Sequence, residues 1–287
     1  MQQPLDMIDR LNRSGKKLSK SHRRIAEYIA QYYDKAVYMT ASRLGEMAGV
    51  SESTVVRFAV AIGYEGYPQL QQSLQELVRH RLTATQRFEM SSDISEGSVL
   101  STVLKADMQN IRSTIEGIDE KAFLDAVRVI SGARRLYILG LRSAAPLAEF
   151  TGYYLHYVLD DVRVAAAAST DVFEGISRIE KDDVLLAISF PRYSSRTIEA
   201  MNFARIRGAQ VIGITDGPMS PLHESANICL SVRTDMASFV DSMAAPMSVI
   251  NALIVALGLK NKDAVSERFR QLEEVWDAYS VYMNESK

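Results

Sequence analysis

Five short apolar runs between residues 135 and 232 limit the possible folds of this chain more than any other feature. They read RLYILG (135–140), VRVAA (162–166), DVLLAIS (183–189), QVIGIT (210–215) and ICLSV (228–232), and each but the last is followed by a stretch compatible with a helix. Strands that run apolar along their length, with helices as crossovers, belong to a parallel sheet covered on both faces. The expectation is an α/β domain with a doubly wound, mainly parallel five-stranded sheet. Such sheets take ligands beyond the carboxyl ends of their strands, near the point where strand order reverses. The loops after Gly140, Ser189 and Thr215 therefore matter most.

The amino-terminal part follows another period. From Leu18 to Leu77 apolar residues recur at helical spacing with little β-branched alternation, which predicts a small all-helical unit. The stretch TATQRFEMSSDISEGS (83–98) is polar and Ser-rich and reads as part of a linker. The expected organisation is a helical domain over 1–80, a linker over 81–98, and a second domain over 99–287 that opens with helices at Val99–Ile115 and Asp119–Ile130. A chain of 287 residues can hold two separate cores.

Charge separates the halves further. Residues 1 to 81 hold 12 Lys and Arg against 8 Asp and Glu, and the remainder holds 21 against 27, so a basic head precedes an acidic body. A basic head is drawn to polyanions. The single cysteine, Cys229, cannot close an intramolecular disulfide, and the start MQQPLDMIDRLNRSGKK lacks the apolar core of a secretory signal. No apolar run reaches the roughly 18 to 20 residues that span a bilayer. A cytoplasmic protein with no membrane association is expected.

The sharpest local pattern is TASRLGEMAGVSESTVVRFAVAI, residues 40 to 62. Thr40 can cap a short helix through Ala48, Gly49 can end it in the left-handed conformation, and Ser51 can cap a second helix. On that second helix Val55, Phe58, Ala59 and Ile62 share one face, leaving Ser53, Thr54, Arg57 and Ala61 on the other. The preceding segment supplies a further helix with Ile25, Ile29 and Tyr32 inward and Lys20, Arg23 and Arg24 outward. A helix whose outer face starts with hydroxyls and an arginine suits the major groove, where hydroxyls bond phosphates or base edges and Arg forks onto guanine. Ser51, Ser53, Thr54 and Arg57 are the candidate groove readers, with Lys20, Arg23, Arg24 and Arg43 on the phosphates. The alternative is an ordinary capped helix in which Arg57 pairs with Glu52 or Glu46.

The runs LSKSHRRIAEYI and MTASRLGEMAGVSESTVVRFAVAIGYEGYPQLQQSL, ending in the aromatic-Gly tail Gly63–Tyr67, resemble the helix-turn-helix of RpiR/MurR-type bacterial transcription regulators. With the α/β body, the resemblance covers nearly the whole chain. It implies a DNA-binding regulator of carbohydrate-related genes whose body is a sugar isomerase (SIS) domain, sensing a phosphosugar and pairing subunits as a dimer or tetramer. The expected partners are an operator duplex and a small anionic carbohydrate derivative, a phosphosugar or acid sugar, with no cofactor.

In SIS domains a G-x-G-x-S loop and an S-x-S-G-x-T loop offer hydroxyls and helix N-termini to a phosphate. The corresponding segments here are Gly140-Leu141-Arg142-Ser143-Ala144 and Ser189-Phe190-Pro191-Arg192-Tyr193-Ser194. Arg142 and Arg192 stand where glycines would. Arginines could hold an anion by ion pairing, or they could pair with Glu149, Asp171 or Glu174 and close the site. The expected effector-binding residues are Gly140, Arg142, Ser143, Ser189, Arg192 and Ser194. Ser242 joins them, at a position that the resemblance assigns to a pocket serine; Asp241 and Ser242 could bond sugar hydroxyls, and an N-cap role fits them equally. Thr215-Asp216 and Ser220 read as structural punctuation.

Enzyme chemistry finds little support. A sugar-phosphate isomerase needs a poised base, for which His223-Glu224 is the nearest candidate. His22, His80, His156 and His223 are scattered without metal-ligand spacing. No catalytic residue and no metal site are expected. An isomerase, or an interaction module built on the SIS surface, are the alternative readings.

Overall fold

The computed structural model describes residues 18–37, 39–79, 83–90, 94–166 and 171–282. The chain divides into two compact units, residues 1–92 and 93–287. In the stretch expected as linker, residues 81–82 and 91–93 lie outside the described residues, as does His80. Within it, Ala84–Met90 is helical and Glu96–Ser98 forms a single 3-10 turn.

The first unit is all helical: α1 (Lys20–Gln31), α2 (Tyr33–Ala36), α3 (Ala41–Ala48), α4 (Glu52–Ala61), α5 (Tyr67–Arg79) and α6 (Ala84–Met90). Ser19 caps α1, its hydroxyl accepting from the His22 amide at 3.3 Å. One core joins Ile25 and Ile29 of α1 to Leu44, Val55, Phe58, Ile62, Leu70 and Leu74. Tyr32, expected inward, is exposed. The helix ends at Gln31, and at Tyr32 the backbone has left the helical region (φ −130°), so the inward stripe is not carried that far. Its ring instead lies against Tyr28, at 5.0 Å between centroids. The aromatic-Gly tail belongs to this core. Tyr64 and Tyr67 are buried, and the Tyr67 hydroxyl donates to the Met39 carbonyl at 2.6 Å, with burial pushing its pKa up to about 12.

The second unit opens with α7 (Val99–Gly117) and α8 (Glu120–Ser131), the latter capped by Asp119. There follow β1 (Leu136–Gly140), α9 (Ala145–Leu155), β2 (Val162–Ala166), α10 (Val172–Ile176), β3 (Val184–Ile188), α11 (Ser195–Ile206), β4 (Gln210–Thr215), α12 (Leu222–Ser225) and β5 (Ile228–Ser231). The sheet is wholly parallel in the order β2-β1-β3-β4-β5. Alternate side chains explain the continuous apolar runs. Leu136, Ile138, Leu186 and Ile212 pack on the side of α8, α9 and α13 (Ala244–Lys260), while Tyr137, Leu139, Leu185 and Val211 pack against Ile176, Met201, Ala204 and Leu222 on the other. After β5 come α13 and then α14 (Lys262–Ala278), the last helix among the described residues. No single described helix is long and apolar enough to cross a membrane.

Candidate nucleic-acid interface and effector site

The turn between α3 and α4 is built by small residues at two points. Gly49 sits in the left-handed region at φ 66°, and a Cβ there would come within 2.1 Å of Arg24 Nη2. That guanidinium therefore lies over the turn, and Arg24 is tied to the shape of the motif as well as exposed. Gly45, inside α3, lies so close to the turn that a Cβ would meet the Val50 carbonyl at 2.8 Å. Thr40 caps α3 as expected, its hydroxyl accepting from the Arg43 amide at 3.2 Å.

The four residues expected to face the groove form one hydrogen-bonded group. Ser51 occupies the N-cap position of α4, but its hydroxyl makes no bond to the backbone of the helix. It lies 3.0 Å from Ser53 Oγ and 2.8 Å from Thr54 Oγ1. Arg57 lies back along the helix, Nε donating to the Ser53 carbonyl at 3.3 Å and Nη2 to Thr54 Oγ1 at 3.4 Å. Arg57 therefore makes no pair with Glu52 or Glu46, and Glu46 takes the exposed Arg43 at 2.8 Å. Behind this surface Val55, Phe58 and Ala59 are fully buried. Lys20 and Arg23 are exposed on α1.

In the second unit the strand register brings two loops together. Gly140 pairs with Ile188 across β1 and β3, and Ile188 with Ile214 across β3 and β4. Because β2 lies on the far side of β1, strand order reverses between β1 and β3, and the loops 141–144 and 189–194 leave this crevice side by side. Gly140 itself serves packing: a Cβ would stand 2.5 Å from the Ala144 carbonyl oxygen.

Both arginines in these loops keep a glycine-like backbone, Arg142 at φ 58° and Arg192 at φ 70°. They are exposed and make no ion pair among the described residues. Of the acidic groups expected as alternative partners, Asp171 caps α10 and pairs with Arg196 at 3.5 Å. Ser189 is buried and Ser194 stands at the N-cap position of α11 without bonding its backbone. Ser143 donates to Asp241 at 3.2 Å. Ser242 stands outside the loop pair: it donates to Asp107 of α7 at 2.6 Å, and the N-cap of α13 is Met243.

Thr215 and Asp216 do more than end β4. The Tyr193 hydroxyl donates to Asp216 at 2.5 Å, and Thr215 bonds Ser220 at 2.7 Å, so the loop after β3 is tied to the loop after β4. Burial, reinforced by the Asp216 carboxylate, holds the Tyr193 pKa well above that of a free phenol, so it remains a donor. A tyrosine adjoining a candidate arginine, two residues past a proline, was the available signal for this clasp. His223 is half-buried, 3.4 Å from Ser231, and burial lowers its pKa. Cys229 is pushed up to about 12 by burial. No cluster of three or more metal-ligating side chains occurs among the described residues.

Comparison with known proteins bears on both units. Residues 5–80 match the model for the helix-turn-helix domain of the rpiR family and residues 129–256 the model for the SIS domain. The chain is 24% identical over 275 residues to the HTH-type transcriptional regulator HexR of Pseudomonas aeruginosa, covering 94% of this chain and 95% of that protein. Among solved structures, the sugar isomerase domain of an RpiR transcription factor from Sphaerobacter thermophilus is similar with a TM-score of 0.59 at 21% identity, over 62% of this chain and 99% of that one. The Vibrio vulnificus NanR protein, complexed with ManNAc-6P, is similar over 94% of this chain and 98% of its own, with a TM-score of 0.57 at 19% identity.

Proposed function

The chain belongs to the RpiR family of helix-turn-helix transcriptional regulators that carry a SIS domain, and on that premise we propose that it is a cytoplasmic regulator of carbohydrate-related genes that reads a duplex through α4 and answers to an anionic carbohydrate derivative in its body. The observation that carries the DNA-binding assignment is the contiguous group of Ser51, Ser53, Thr54 and Arg57 at the exposed start of α4, backed by a fully buried apolar face. Lys20, Arg23, Arg24 and Arg43 take the phosphates. Domain limits of 1–80 for the head, 81–98 for the linker and 99–287 for the body fit this division of labour.

The effector reading rests on Arg142 and Arg192, two permanent cations on adjacent loops at the carboxyl edge of a parallel sheet, together with Ser143, Ser189 and Ser194. NanR supports the class of ligand, being complexed with a sugar phosphate. Gly140 shapes the loop, and Ser242 acts through Asp107.

Subunits pair through α7 and α13. On α7, Leu100, Leu104, Met108 and Ile115 are 73, 58, 66 and 73% exposed along one stripe, and Val255 and Leu259 are exposed on α13. A face of this kind on a soluble regulator fits burial against a second copy, which presents two heads to a two-fold operator.

Two steps test this function: isolating the genomic duplex fragments that the purified protein retains, then measuring their release by sugar phosphates and sugar acids. The expected result is retention at low salt and release by at least one anion, with release lost in Arg192→Ala. Retention of no fragment contradicts the DNA assignment, and retention indifferent to every anion contradicts the effector assignment.

A further inference from the structure

Residues 232–243, between β5 and α13, form a strap with no regular structure, and four of its attachments join it to α7 and to the loop after β1. Three lie on α7: Thr114 Oγ1 accepts from the Arg233 amide at 3.0 Å, Asn110 exchanges two bonds of 2.8 Å with the backbone of Asp235, and Asp107 accepts from Ser242 at 2.6 Å. The fourth is Asp241, which accepts from Ser143 in the loop after β1. Its bond spans 98 residues of sequence. Within the strap the hydroxyl of Thr234 is buried with no hydrogen-bond partner among the described residues.

The fourth attachment places a carboxylate on a hydroxyl of the proposed anion site, next to Arg142. A serine hydroxyl has one proton to donate, so the bond to Asp241 takes the donor that an incoming anion would use. Two negative charges at one site also repel. Resting on the anionic-effector reading above, we propose that Asp241 is a built-in competitor of the effector: an anion entering the loop after β1 must release Asp241, and with it the strap that Ser242 fastens to α7. Effector occupancy is thereby transmitted to the first long helix beyond the head-to-body connection. Asp241 sets the affinity for the effector, and the Ser242–Asp107 bond carries the response.

Inorganic phosphate, the group shared by sugar phosphates, serves as the probe on the full-length chain. Phosphate affinity is measured calorimetrically for the parent, Asp241→Asn, Asp241→Ala and Arg192→Ala. Relieving the repulsion is expected to tighten phosphate binding in both Asp241 variants by at least about fivefold, the factor equivalent to the ~1 kcal/mol between two unit charges 4 Å apart in water. Equal or weaker binding by both variants, in a protein whose parent binds phosphate and whose Arg192→Ala form does not, overturns the competitor and leaves the anion site standing. Absence of phosphate binding in the parent and in both Asp241 variants overturns the anion site and the competitor together. The second measurement is the phosphate dependence of affinity for the retained DNA fragments in Asp107→Ala. By linkage, this variant, whose strap is already unfastened, is expected to bind phosphate more tightly than the parent without altering its DNA affinity, and a response of parental size overturns the strap as the route.

Discussion

Arg142 and Arg192 occupy a backbone region that costs a side-chain-bearing residue about 1–2 kcal/mol. A chain that needed only the turn would use glycine at both places, so the strain points to a use for the guanidiniums. Arg192→Gly is therefore expected to raise the stability of the body by up to about 1 kcal/mol in chemical unfolding while weakening anion binding. A loss of stability in this variant would mean that the arginine is structural. The substitution of arginine for glycine is visible in the sequence beside the family's loop pattern. Its backbone consequence is not, because nothing local reveals that the left-handed turn is kept. Nor does the sequence reveal the bond from Ser143 to Asp241, which depends on how a distant strap is laid across the body.

At the scale of elements, the helix-turn-helix and the five strands were legible because each is set by local chemistry. The caps, Gly49 and the helical period mark α3 and α4, while continuous apolar runs mark strands buried on both faces. Tyr32 departs from the inward stripe because α1 ends at Gln31, with no glycine or proline in the sequence to mark that end. Gly45 carries a further readable sign of close approach, since a glycine inside a helix is disfavoured by about 1 kcal/mol against alanine. Its role yields a comparison. Gly49→Ala meets positive φ and the movable end of Arg24, whereas Gly45→Ala meets the fixed Val50 carbonyl. Gly49→Ala is expected to destabilise the head by about 1 kcal/mol. Gly45→Ala should cost at least as much despite its helical surroundings, since backbone atoms must shift. Equal or greater stability for Gly45→Ala, measured by thermal unfolding, would remove close packing as its reason.

The two units together make the regulator. An exposed apolar stripe on α7 is a defect in a monomer and a seam in a dimer. On the proposed pairing through α7, a charge at the centre of the stripe, Leu104→Glu, is expected to lower the mass seen in sedimentation and to weaken operator affinity by roughly tenfold or more, because two heads would no longer engage together. Unchanged mass would place the subunit contact elsewhere. The most direct measurement of DNA recognition is the affinity of the full-length protein for its retained operator fragment, taken across a salt series for the parent, Arg57→Ala and Arg43→Ala. Loss of Arg57 is predicted to weaken binding by about 1–3 kcal/mol and to relax preference at one base position, and loss of Arg43 to weaken all sequences alike and flatten the salt dependence by about one charge. Parental affinity, sequence preference and salt slope in both variants would contradict recognition through α4.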